Sequence, residues 1–174
     1  MHITTILFAV ILWPTLVMAQ PTISTDSVAQ RIAIDGAKKT VDAMYQNGKE
    51  WRQLLTAVAT GDEQWLKVAV QLYSGTDAGT TSQLRNSIGE ALEHQPQTVL
   101  KIVNPALGIS GICGAPDVDD KRYDSYFLST KAIEKRKKML GAITDPLLAE
   151  VRDQCIKQLN DSKRGIARFY GVAR

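Results

Sequence analysis

The sequence predicts an all-α fold, an array of antiparallel helical hairpins closed by a C-terminal helix pair. Three observations carry that expectation. Apolar residues recur at helical spacing: Trp51, Leu54, Leu55 and Val58 fall at i, i+3, i+4 and i+7, and Leu84, Ile88, Ala91 and Leu92 form a second stripe. The stripes repeat at a fixed offset. Leu66-Lys67-Val68-Ala69 aligns with Leu100-Lys101-Ile102-Val103 and Trp51-Arg52 with Leu84-Arg85, a unit of about 33–34 residues, the size of a helical hairpin. No stretch of any length alternates with the period of a strand; only residues 108–113 offer room for a short extended segment.

Taken in order, residues 1–19 hold no Asp, Glu, Lys or Arg and end at Val17-Met18-Ala19, a small-residue cleavage site. They read as a secretory signal peptide removed after Ala19, too short and too interrupted by Pro14 for a spanning helix. Thr25-Asp26-Ser27 supplies N-cap oxygens for a first helix running to about Asn47, with Val28, Ile32, Ala37, Val41 and either Met44 or Tyr45 facing inward and Gly48 as its stop. Two helix pairs follow. Gly61-Asp62 separates the members of the first, and Gln95-Pro96 those of the second, with Pro96 suited to a helix's first turn. Between the pairs, residues 74–80 are loop chemistry in which Asp77 can cap the next helix.

From Asn104 to Asp120 glycines and prolines interrupt the rhythm, which predicts a long ordered loop. A helix from about Arg122 to Ala142 comes next, and Asp145-Pro146 opens a last helix with the inner stripe Leu148, Val151, Cys155 and Leu159. The reading is therefore a leader over 1–19, one domain over 20–161 and a basic tail over 162–174. Two cysteines, Cys113 and Cys155, in an exported chain predict one disulfide fastening the loop to the final helix.

Trp51-x-x-Leu54-Leu55, Gly61-Asp62, Trp65-Leu66, Cys113-Gly114-x-Pro116 and Cys155 together resemble a group of small exported helical proteins of proteobacteria. The likeness covers about Trp51 to Leu159 and implies a fold and no chemistry. The paired helices are also similar to HEAT-like repeats.

Chemistry is sparse. Beyond the leader His94 is the sole histidine, and its place at a helix end beside Gln95-Pro96 suits an exposed polar residue better than a catalytic base. The chain has no nucleophile-elbow, P-loop or zinc-protease motif, and too few His and Cys for a zinc site. Asp117-Val118-Asp119-Asp120 and Asp124 lack the remaining ligands and the glycine of a calcium loop, so they read as acidic residues favoured at the start of the following helix. Trp51, Trp65 and Tyr73 read as core. A net charge of +3 is too mild to imply nucleic-acid binding. No catalytic residue, metal or cofactor is expected.

Two surfaces stand out as candidate contacts. Lys131, Lys135, Arg136, Lys137 and Lys138 form a basic helix face, and Arg164, Arg168, Phe169 and Tyr170 combine arginine with aromatics in the tail. The expectation is a non-enzymatic protein-binding module of the periplasm or a secreted one, of which an immunity protein against a delivered toxin is one kind. The alternative is an envelope-associated structural or stress protein that meets anionic lipid or peptidoglycan through the basic face.

Overall fold

The computed structural model describes residues 23–172. The expected leader and its cleavage site lie outside them, as do the last two residues of the tail. Among the described residues there are nine α-helices, one 3-10 turn and no strand, so the fold is all-α.

The expected first helix is two. α1 (Thr25–Asp35) and α2 (Ala37–Gln46) meet at Gly36, whose φ of 81° lies in the left-handed region that interrupts a right-handed helix. Ser24, one residue before the expected cap, closes a reciprocal capping box with Ser27. Val28, Val41 and Met44 are buried, Ile32 and Ala37 are partly so, and of the two candidates for the last inner position Met44 is inside while Tyr45 is exposed.

α3 (Gly48–Ala59) and α4 (Glu63–Tyr73) form the first repeated unit, and α5 (Ala78–Ala91) and α6 (Pro96–Ile102) the second. Asp62 caps α4 by accepting from the amides of Gln64 and Trp65, and Asp77 caps α5 in a box with Thr80. α3 packs on α5 and α4 on α6, so equivalent helices of the two units meet. Trp51 is 2% exposed and donates its indole N–H to Gln83 Oε1 at 2.6 Å across that contact. α1 and α2 cover one side of the pair by packing on α4.

The expected loop from Asn104 is helical in its first half: α7 (Asn104–Ile112) continues to Ile112. Pro105 falls in the first turn, where its missing N–H costs nothing, and Gly108 (φ 66°, ψ 173°) takes up the one non-helical position. In that first half the glycines and proline mark a kink, while from Gly114 onward the expected loop is present. α8 (Tyr126–Gly141) starts later than expected, capped by Ser125, which accepts from the Leu128 amide. Asp145 and Pro146 open a single 3-10 turn that leads into α9 (Ala149–Phe169), so the expected tail is helical as far as Phe169.

Glu134 pairs with Lys163 at 2.8 Å, while Arg152 donates to the Ile143 carbonyl at 2.9 Å, so α8 and α9 run in opposite directions. Cys113, at the C-terminal end of α7, is bonded to Cys155 on the buried face of α9, with 5.3 Å between Cα atoms and 42 residues of sequence between them. The disulfide is thus present as expected. It ties α9 to the end of α7 and leaves residues 114–125 as the only long irregular segment between described helices.

Candidate functional site

Residues 114–125 lie along α5, held there by side chains from both partners. Asn86 Oδ1 accepts from the Asp117 amide at 3.1 Å, and the Ser82 hydroxyl donates to Asp117 Oδ2 at 3.0 Å. Asp117 Oδ1 in turn accepts from the Asp119 amide, a local turn that leaves this carboxylate fully engaged. Further on, Arg122 grips Asp120, donating through Nη2 at 2.6 Å, and reaches Glu90 on α5. Arg122 Nη1 lies 2.8 Å from Glu90 Oε1 and 2.9 Å from Oε2, but only Oε2 is aligned to accept its N–H. Hydrogen bonding from Arg122 holds the Asp120 carboxyl below its ordinary range, and the same pairing raises the guanidinium.

The acidic cluster therefore serves a different end from the one the sequence suggested. It does not sit on the first turn of α8, which contains no acidic residue. Two of its carboxylates pin the irregular segment to α5, Asp117 through Ser82 and Asp120 through the Arg122 that reaches Glu90.

Arg136 occupies the centre of this arrangement. It was expected on an exposed basic face, yet it is 1% exposed and points into the body of the fold. The reason is a glycine. Gly89 on α5 leaves a gap that the guanidinium fills, since a Cβ there would lie 2.8 Å from Arg136 Nη1. Arg136 Nε donates to Glu93 Oε1 at 3.2 Å, and its carbon Cζ stands 6.0 Å from the centre of the Tyr123 ring. Nη1 reaches the Gly114 carbonyl at 3.5 Å, while Nη2 is buried with no partner among the described residues. Burial, ahead of the nearby Glu90 charge, pushes the Tyr123 phenol up.

The remaining four members of the expected basic face separate as well. Lys135 pairs with Glu93 at 2.9 Å and Lys137 with Glu134 at 3.1 Å. Only Lys131 and Lys138 are exposed without a carboxylate partner among the described residues. Glu134 is held below its ordinary range chiefly by its hydrogen bond from Lys163.

A cleft of about 710 Å³ opens between α5, the segment from Ser110 to Val118 and the last turns of α9. Arg85, Arg136, Ser82 and Ser110 give it polarity, while Ile112, Pro116, Ile166 and Phe169 give it an apolar wall. The disulfide ties together the elements that carry two of those walls, because Cys113 lies within the 110–118 segment and Cys155 on α9, ahead of its cleft-lining turns. Of the expected tail contacts, Phe169 lines the cleft, is 69% exposed and meets Tyr170 edge-on with ring centres 5.0 Å apart. Tyr170 packs on the core, Arg164 is exposed and paired with Asp161, and Arg168 is exposed.

Arg85 figures in the sequence only as part of the repeat, not as a candidate site residue. It is half-buried, and its Nη2 donates to the Ser110 carbonyl at 3.1 Å. Among the described residues it pairs with no carboxylate, and its Nε is buried without a partner. The available signal was its position: a charged residue directly after Leu84 on the inner stripe has to emerge beside whatever packs on that stripe. A second cleft of about 480 Å³ adjoins the first across Asn86 and Asp117, and it is lined by Glu90, Asp119, Asp120 and Arg122. Arg122 pairs there with Glu90 and Asp120, while Asp117 and Asp119 have no cation partner among the described residues.

The chain matches no protein-family model, and neither the curated proteins nor the solved structures gave a match to it.

Proposed function

We propose that the chain is a non-enzymatic binding module of the bacterial periplasm, acting on a protein partner, with neutralisation of a delivered toxin as its physiological role. The single observation that carries the binding reading is the cleft beside Phe169. An exposed aromatic at the edge of a concavity with polar and apolar walls is the composition that protein interfaces favour. The supporting walls are rigidly held, one by the disulfide and one by the hydrogen bonds of Asn86 and Ser82, which lowers the ordering cost of association. The disulfide suits an oxidising compartment. The toxin role rests on analogy of size and composition with small partner-neutralising proteins.

The alternative, contact with anionic lipid or cell wall through the basic face, draws less support from this geometry. Arg136 is buried, and Lys135 and Lys137 are engaged by glutamates.

The test is genetic and biochemical together. A strain lacking the chain should become sensitive to neighbouring cells of its own kind. The mature protein should capture from the periplasm a polypeptide that is toxic when exported without it. A deletion strain with unchanged sensitivity, together with failure to recover such a polypeptide, contradicts the proposal.

A further inference from the structure

The cleft contains a cation, Arg85, that forms no ion pair with any described residue. Arg85 is anchored by Nη2 on the Ser110 carbonyl and has no carboxylate partner there. Arg136 contributes a second guanidinium to the same lining, is 1% exposed, and keeps Nη2 without an acceptor. Buried N–H groups without partners are uncommon, because each forfeits its hydration and gains nothing in return. The acid in the lining, Asp117, keeps its charge but accepts its hydrogen bonds from Ser82 and from the backbone of Asp119 and makes no ion pair with Arg85.

We propose that the cleft seats a carboxylate-bearing segment of a protein partner, an aspartate or glutamate flanked by apolar side chains, with Arg85 as its direct contact. This rests on the binding-module reading and names the chemistry of the partner. Three features select that occupant. Glu93 is paired with Arg136 and Asp117 stands in the same lining, so the two guanidiniums are already offset in net charge; what remains is Arg85 without an ion-pair partner, which a singly charged carboxylate matches better than a phosphate dianion. The apolar wall of Ile112, Pro116, Ile166 and Phe169 asks for a hydrocarbon next to the acid. The cleft is open and bordered by the hydroxyls of Thr81, Ser82 and Ser162, which suits the backbone groups of a peptide more than an enclosed small molecule.

The experiment uses the mature, oxidised chain and a fluorescent peptide of alternating glutamate and leucine with an amidated end. Anisotropy should report salt-sensitive binding. Arg85→Gln should weaken it by at least about tenfold, and Arg85→Lys by less, because the ammonium keeps the charge and loses the planar fork. Phe169→Ser, at an exposed position, should weaken binding without disturbing the fold. The same peptide with glutamine for glutamate should not bind. Equal binding by Arg85→Gln and the parent overturns the proposal, as does equal binding of the glutamine peptide. Binding of free octanoate with none of the acidic peptide overturns it too, and would make the occupant a small acid. If the peptide fails while a periplasmic protein is still captured, the carboxylate seat falls and the binding module stands. If the peptide binds through Arg85 while no protein is captured, the seat stands without that module.

Discussion

Arg136 and Gly89 show how one small residue decides the fate of a charged one. With no side chain at 89, the guanidinium fits against α5 and reaches Glu93, whose own side chain is 11% exposed. Such a pair adds little net stability when formed, but removing one partner strands the other. Arg136→Met should therefore destabilise the fold by about 2–4 kcal/mol, somewhat less than for an isolated pair because Lys135 still attends Glu93. The double variant with Glu93→Leu should recover part of that loss in urea unfolding; a simple sum of the single losses would show that the two residues act independently. Asp120 gives a prediction in pH. Its folded-state carboxyl is held low by Arg122, so the folded chain binds its proton less readily than the unfolded one. The contribution is complete above about pH 5 and fades as pH falls below about 4 through the folded value. Asp120→Asn should flatten the acid limb of the stability profile, and an unchanged limb would remove Asp120 from the account.

At the scale of elements, the disulfide and the kinks set the shape around the cleft. Serine at both Cys113 and Cys155 should lower stability by about 2–4 kcal/mol, since their bond closes a long loop of the unfolded chain. Denaturant titration with and without reductant checks it, and equal midpoints would contradict it. The sequence announced most of these elements. Stripes such as Leu84, Ile88, Ala91 and Leu92 need only local spacing to be read, and caps such as Asp62 and Asp77 need only their neighbours. The errors came where glycine was ambiguous. Gly36 reads as a weak point inside one helix, whereas its φ of 81° ends α1 and lets α1 and α2 each pack on α4. Gly108 reads as loop, although the chain resumes helix on either side of it. Arg136 misled for a further reason. Its partner lies 43 residues away and its cavity is an absent side chain on another helix, neither of which local pattern contains.

Across the whole molecule, two repeated helix pairs form a body, α1 and α2 cover one side, and α7 to α9 bring the disulfide and the cleft to the other. The cleft draws on helices from distant parts of the chain, so its outline could not be read from sequence even though Phe169 was singled out there. The proposed contact surface is that cleft and not the exposed lysines of α8. Site-specific photo-crosslinking in the cells that make the protein separates the two most directly. A photoreactive phenylalanine analogue at Phe169 should yield a covalent adduct with a partner polypeptide, and the same analogue at Lys138 should yield none. An adduct from Lys138 with nothing from Phe169 would contradict the account.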